Sequence, residues 1–327
     1  MSVAARRADI TTTAVAARWL TLHLLRPYLR NHHVDKGKWF LMRALNAKPG
    51  EEFARYGKRL ISTRYGSVIY GDMLYSGHRF LYFTGEYEVA LSRLFARTLG
   101  PGWCFVDVGA NIGYYTILAA KLADKVVSLE PNPGTRRLLE ENVAANGFDN
   151  VTILPFGLSD VATEMHLFQE GNDIGGATFR SAAPDAHSFA VRTATGDDLL
   201  QDDDGDRRLL IKIDTEGWEY NVLCGLRHIL GRPTTTVVAE ITDAWLQSSG
   251  ASARQLFDLM TDHGYHAFQV YLRRSVLRNG IGLRKLTGPL DTFQYDALFT
   301  RCESTAAFWS WVSNHGRDVE SDRSIIE

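Results

Sequence analysis

Cysteine is scarce in this chain. Only Cys104, Cys224 and Cys302 occur in 327 residues, far apart and among apolar neighbours. There is no Cys-x-x-Cys spacing and no cysteine–histidine cluster, so neither a zinc site nor a redox dithiol is expected. Buried free thiols in a reducing cytoplasm suit that pattern. Long apolar runs are also missing. No stretch of about 18 uncharged apolar residues exists, so no transmembrane helix is expected, and the N-terminus lacks the pattern of a secretory signal. Charge of one sign is absent too. The 36 basic residues nearly balance the 38 acidic ones, leaving a net charge of -2. Without a global basic field, nucleic acid is not an expected partner. No internal repeat or low-complexity segment appears. What remains is 45% hydrophobic and 23% charged, the balance of an ordinary globular protein.

The chain divides by pattern. Residues 1–58 read as a basic helical segment. Val15, Trp19, Leu22, Leu25 and Leu29 recur there at helical spacing, with Arg18, Arg26 and Arg30 between them and Lys36, Lys38 and Arg43 following. Three readings fit residues 15–43: a peripheral contact with an anionic membrane, a face packed on the main domain, or a homodimer contact. Residues 59–84 read as one or two β-hairpins, with strands at Ser67–Tyr70 and Arg79–Phe83 and turns at Tyr65-Gly66 and Ser76-Gly77. A helix is expected from Glu86 to Leu99. Strands are then expected at 103–108, 125–130, 151–155, 209–214 and 235–241, and helices at 113–123, 133–146, 217–230 and 252–263. Gly147 and Gly231 stand where helix stops belong. Such alternation predicts an α/β fold with a mostly parallel sheet covered by helices on both faces.

Two regions depart from the alternation. An insertion over about 156–207 carries strand-like Met165–Phe168 and Phe189–Arg192 around a glycine-rich loop, Asn172–Thr178. It ends in an acidic run, Asp202–Asp206, read as a solvated turn. Beyond His263, Gly264–Val270 and Thr292–Thr300 read as two final β-segments joined by a basic loop, Arg273–Lys285. Residues 303–327 read as a helix and a polar, frayed tail.

The most informative stretch is F-V-D-V-G-A-N-I-G-Y-Y-T, Phe105 to Thr116. An apolar strand ends in Asp107 and turns at Gly109 and Gly113 into a helix, a geometry that brings backbone N–H groups close to a ligand. A dinucleotide site asks for G-x-G-x-x-G. Here Asn111 stands where the second glycine belongs and obstructs a pyrophosphate. An acidic residue before the turn suits a cationic ligand end, so Asp107 and the turn are candidates to hold the amino-acid part of S-adenosylmethionine. Glu130, ending the next strand in V-V-S-L-E-P-N, is placed to accept two ribose hydroxyls; both cofactor classes carry these. Asn111 is otherwise a plain turn residue, and Tyr115 is equally readable as core or as a cofactor contact.

With D-V-G-A-N-I-G-Y-Y-T go S-L-E-P-N-P, L-I-K-I-D-T-E-G-W-E, V-V-A-E-I and the earlier T-G-E-Y-E at Thr84–Glu88. In that order, across roughly Tyr65 to Thr300, the chain resembles the FkbM family of S-adenosylmethionine-dependent methyltransferases. The resemblance implies a class I methyltransferase (Rossmann-like) domain over 59–302. It also implies methylation of a hydroxyl on a sugar, glycolipid or polyketide-type natural product. It adds Gly157, Leu158 and Ser159 as adenine contacts and Asn132 to the cofactor set. The alternatives are an NAD(P)-binding oxidoreductase, or a module that binds the cofactor without chemistry.

Methyl transfer to an alcohol needs alignment, worth roughly 7–11 kcal/mol at best, and removal of a proton. Asp214 ends a strand at the edge where open α/β sheets bind ligands; its competing reading is the N-cap of the following helix. Glu216 is a second candidate, although the helix dipole alone favours an acid there. Glu240 ends the next strand, and sharing a metal with Asp214 is a minor alternative. Of His166, His187, His263 and His266, His166 is the reserve base, because it falls in the insertion expected to cover the acceptor.

Overall fold

The computed structural model describes residues 3–31, 37–46, 53, 55–169, 177–179, 187–200, 207–273 and 280–315. Lys36, Asn172–Gly176 of the glycine-rich loop, Asp202–Asp206, the middle of the Arg273–Lys285 loop and the polar tail lie outside the described residues. Two compact units form, one running to Val89 with Leu272, Arg273 and Gly280, the other from Ala90 onward.

The first unit comprises α1 (Val3–Leu29), α2 (Lys38–Asn46), β1 (Lys58–Ser62), β2 (Val68–Asp72) and α3 (Ser76–Thr84). The strands pair antiparallel. The stripe on α1 is buried within its own unit: Leu22 and Leu29 pack with Met42 of α2 and Phe83 of α3. Trp19 stacks on Tyr56 with centroids 4.0 Å apart. Arg79–Phe83, expected as a strand, is helical. Aromatic residues favour strands only weakly and in context, and two local contacts override them here. Gly85 takes a left-handed φ of 79° and donates its N–H to the Leu81 carbonyl, closing the helix. The buried Arg79 guanidinium donates to the carbonyls of Met73 and Leu74, both at 2.6 Å.

The second unit opens with α4 (Val89–Thr98), β3 (Trp103–Val108), α5 (Tyr114–Ala120), β4 (Lys125–Leu129), α6 (Pro133–Asn146) and β5 (Val151–Leu154). The insertion contributes β6 (Gly157–Leu158), β7 (Glu164–Gln169), β8 (His187–Ala194) and α7 (Gly196–Leu199). Alternation resumes with β9 (Arg208–Ile213), α8 (Glu219–Cys224), α9 (Arg227–Gly231), β10 (Thr235–Ile241), α10 (Asp243–Ser248) and α11 (Ala253–Asp262). Then come β11 (His266–Arg273), β12 (Gly280–Leu286), β13 (Tyr295–Thr300) and α12 (Thr305–His315).

The main sheet has eight strands in the order β12-β11-β13-β10-β9-β3-β4-β5. Neighbours from β10 through β9, β3 and β4 to β5 are parallel, while β13 runs antiparallel to β10 and β11. This is the class I methyltransferase arrangement. The chain builds β3, β4 and β5 outward in one direction, then returns to add β9 on the other flank of β3. Ligands of open α/β sheets bind outside the carboxyl ends of the strands at such a switch point. Central strands are apolar because both faces are covered; every residue of β3 is buried.

Three expectations are corrected. The helix at 217–230 is two helices, because Gly225 packs against the Ser159 carbonyl so closely that a Cβ would lie 2.0 Å from that oxygen. Gly231 is the last residue of α9 and its C-cap is Arg232, which does not adopt the left-handed stop; Gly147 does, at φ 67°. The described end of the basic loop is strand β12, where Gly282 leaves room for the Tyr271 ring. No helix among the described residues is long and apolar enough to cross a membrane.

Leu22 separates the readings of the N-terminal stripe. With its side chain fully buried, Leu22→Ala is expected to cost about 2–5 kcal/mol of stability, read by urea unfolding followed through Trp19 fluorescence. Wild-type stability would show that this face packs against nothing in the isolated protein.

Candidate functional site

At the switch point Val108 and Ile213 are register partners, and the Asp214 N–H donates to the Val108 carbonyl at 3.1 Å. The next residue of the first strand is Gly109, with φ 78°; a Cβ there would lie 1.9 Å from the Asp214 carbonyl oxygen. Only glycine lets the two chains leave the sheet this close together. The Gly109 and Ala110 N–H groups both donate to the Leu129 carbonyl at 3.1 Å. Asn111 adopts a left-handed φ of 51°, and its Oδ1 accepts from the Ile112 N–H at 2.8 Å, the local bond that lets asparagine tolerate this conformation.

Glu130 follows β4 and is 7% exposed. One carboxylate oxygen accepts from the Asn111 N–H and the other from the Asn132 N–H, each at 2.9 Å. Burial pushes its pKa up to about 7, against those hydrogen bonds and the Arg136 charge, which pull it down. A carboxylate oxygen has two lone-pair sites, so each oxygen can take a further donor. Asn132 itself caps α6, its Oδ1 accepting from Gly134 at 2.9 Å, and its amide donates to Gln169 at 3.3 Å.

Beneath the turn sits a lysine that the sequence reading passed over. Lys212, 3% exposed, donates to Asp214 Oδ2 at 3.0 Å and lies 4.0 Å from Asp107 Oδ1. Its ammonium also lies 5.0 Å from the Tyr115 ring centroid. Asp107 is 1% exposed. Its Oδ2 accepts from the Thr116 hydroxyl at 2.7 Å, while Oδ1 has no hydrogen-bond partner. Burial raises the Asp107 pKa, and the Lys212 charge and the Thr116 bond oppose that rise. The cation beside Asp107 is therefore supplied by the chain itself. Tyr115 is core, packed edge-on to Phe95 at 5.2 Å, and is one wall of the lysine's niche. A lone lysine in the apolar run L-L-I-K-I was the available signal, since a lysine is almost never fully buried unless paired.

The turn after β9 is organised by a second overlooked residue. Buried Glu219 accepts from the N–H groups of Thr215 and Gly217, both at 3.0 Å, and from the Thr215 hydroxyl at 3.1 Å. Helix α8 starts at Glu219 with Trp218 as its N-cap residue, so Asp214 does not cap it. Asp214 instead points one oxygen at Lys212 and keeps 26% of its side chain exposed. Glu216 takes a left-handed φ of 55°, and its carbonyl accepts from the Thr178 hydroxyl of the insertion at 3.0 Å. The insertion's strands form a sheet in the order β6-β8-β7. Leu158 belongs to the core; Ser159 is buried and accepts from the Trp218 indole at 3.2 Å. Phe179 lies over Gly157, where a Cβ would meet the ring at 2.6 Å. His166 is exposed on β7, with Phe168 as a ring neighbour at 6.5 Å. His187 opens β8, and His263 bonds the Leu259 carbonyl at 2.8 Å. Glu240 accepts from the Gln294 amide. Among the described residues no group of three or more His, Cys, Asp or Glu side chains could hold a metal ion.

A model of the "Methyltransferase FkbM domain" matches residues 107–267. Over 138 residues the chain is 30% identical to the hexuronic acid methyltransferase AglP of Haloferax volcanii, covering 41% of this chain and 54% of that protein. It therefore spans about half the length of this curated relative. Among solved structures, a methyltransferase FkbM from Methylobacillus flagellatus KT aligns at 16% identity and a TM-score of 0.37, over 84% of this chain and 58% of its own. TYW2 of M. jannaschii, solved in complex with AdoMet, aligns at 15% identity and a TM-score of 0.36, over 75% of this chain and 86% of its own.

Lys212 offers a direct test of the buried charge cluster. Lys212→Met leaves two carboxylates without their cation and is expected to lose about 3–5 kcal/mol of stability, measured by urea unfolding. A variant as stable as the wild type would show that Asp107 and Asp214 are neutralised elsewhere.

Proposed function

We propose that this chain, whose residues 107–267 match the FkbM methyltransferase domain, is an S-adenosylmethionine-dependent O-methyltransferase. Its acceptor is a hydroxyl of a sugar, glycolipid or polyketide-type product. The observation that carries the reading is Glu130, a nearly buried carboxylate held by two backbone N–H groups beside the glycine turn. Such a group is costly to bury and is oriented to accept two neighbouring hydroxyls, as a ribose presents. When bound, S-adenosylmethionine supplies a methyl group on a positively charged sulfur, already activated for displacement. Gly109 to Gly113 would line the approach with backbone, and the Asn111 side chain stands in the way of a dinucleotide's pyrophosphate. Lys212 fixes one oxygen of Asp214, which leaves the other to take the proton of an acceptor hydroxyl. His166 is the reserve for that role. The similarity to a hexuronic acid methyltransferase supports a sugar as acceptor.

Calorimetry is expected to show binding of S-adenosylhomocysteine and none of NAD or NADP. Glu130→Ala is expected to weaken it by about 1.5–3 kcal/mol, the usual worth of hydrogen bonds to a charged group. The pH dependence follows from the Glu130 pKa of about 7. Accepting two hydroxyls favours the ionised form, so binding releases a proton. Affinity is full above about pH 7 and falls up to about tenfold per unit below it. Without ligand the sign reverses. The raised pKa means the fold holds a proton that the unfolded chain has lost, so this group's contribution to stability declines as pH rises from the ordinary carboxylate range through about 7. A flat affinity profile from pH 5.5 to 8 would place the ribose elsewhere.

Asp214→Asn keeps the size of the side chain and removes its basicity. Turnover, followed as S-adenosylhomocysteine release with a glycoside acceptor, is expected to fall by at least about 100-fold. A folded variant with near-normal turnover would transfer the proton to His166 or leave alignment as the whole effect.

A further inference from the structure

The carboxyl edge of the sheet continues beyond Asp214. Ala239 of β10 is the register partner of Ile213, so Glu240, the penultimate residue of β10, stands one strand over from Asp214. Strand β13 runs antiparallel, and Ile241 pairs with Tyr295. The residues just before Tyr295 therefore arrive at the same edge. Phe293 is among them and is 70% exposed. Its ring stands perpendicular to that of Trp245, the third residue of α10, with centroids 6.2 Å apart and an interplanar angle of 82°. Next to Phe293, the exposed Gln294 donates its amide to the Glu240 carboxylate.

A single exposed phenylalanine is ordinary on a protein surface. Here it is not an isolated surface residue. It lies at the edge where ligands of this architecture bind, with a second aromatic ring against it and a carboxylate–amide pair beside it. Aromatic faces with a few convergent polar groups are the usual make-up of a small-molecule site. The combination selects among acceptors. A polyketide chain presents no single flat C–H face for an aromatic ring to cover. A pyranose ring presents axial C–H groups on one face, polarised toward the negative face of an aromatic ring, and hydroxyls at its rim that both donate and accept.

We propose that Phe293 and Trp245, with Glu240 and Gln294, form the acceptor subsite of this domain, and that it takes a pyranoside. The rings hold the C–H face of the sugar, and the carboxylate–amide pair holds hydroxyls at its rim. The hydroxyl to be methylated is thereby turned toward Asp214, one strand away. This deepens the methyltransferase reading and rests on it.

The test uses the full chain saturated with S-adenosylhomocysteine. Methyl glycosides of hexoses, 6-deoxyhexoses and hexuronic acids are presented in turn, and saturation-transfer NMR reads which protons approach the protein. Ring C–H protons of at least one pyranoside are expected to be saturated. Phe293→Ala is expected to lower the affinity for that glycoside at least about tenfold while leaving S-adenosylhomocysteine affinity unchanged. Because the Phe293 side chain is mostly exposed, the variant should fold; Trp245→Leu is the second variant, with the same expected effect. The subsite is overturned if no pyranoside in the series binds the loaded protein. It is equally overturned if one binds and neither variant weakens it. Failure of the wild-type protein to bind S-adenosylhomocysteine at all would instead overturn the methyltransferase reading on which the subsite rests.

Discussion

Lys212 sets the terms for the rest of the site. It is a buried cation between two carboxylates at the carboxyl ends of neighbouring strands, 3.0 Å from Asp214, just past β9, and 4.0 Å from Asp107, the penultimate residue of β3. Strands β3 and β9 must lie side by side to bring these groups together, and that juxtaposition is the topological switch point of the sheet. Removing two carboxylates from water is expensive unless their charges are met. The lysine meets them from inside the fold, so neither charge depends on a ligand for its counterion. Tyr115 and Thr116, adjacent on α5, complete the niche from the other side, one with a ring face toward the ammonium and one with a hydroxyl on Asp107.

The parts of this architecture that could be read in advance were those with simple causes. β3 and β10 were expected over their observed residues because unbroken apolar runs ended by turn residues mark covered strands. α6 was expected over 133–146 and ends at Gly147, a left-handed stop. Where two causes competed, the reading went astray. Arg79–Phe83 has the composition of a strand, and the arginine's carbonyl contacts and the Gly85 cap made it a helix. The stretch 217–230 looked continuous, because nothing in its pattern announces that Gly225 must press against Ser159. The basic loop hid β12, since residues 280–286 alternate only loosely.

The site was legible in outline and not in its supports. Asp107, Gly109, Asn111, Gly113 and Glu130 lie around one turn, and Asp214 emerges beside it. What the motif did not convey is which groups carry load within the protein. Tyr115, Leu158 and Ser159 are interior, and Asn132 caps a helix while bonding Gln169. Glu219 and Lys212 lie within L-I-K-I-D-T-E-G-W-E, but a charge in a sequence does not reveal how deeply it is buried. Burial is a property of the assembled sheet, and only the assembled sheet shows that Glu219 holds the turn that Glu216 merely occupies.

The contact between Gly109 and the Asp214 carbonyl has a consequence for how such a domain can diversify. With a Cβ separation of 1.9 Å, the two chains leave no slack at the seam, and no side chain can be exchanged there to admit a different reactant. Change has to enter from the periphery, through segments such as the insertion and the one that carries Phe293. Those segments can change length and composition while the seam stays as it is. The domain thus joins a seam that tolerates no side chain to a surround that can vary.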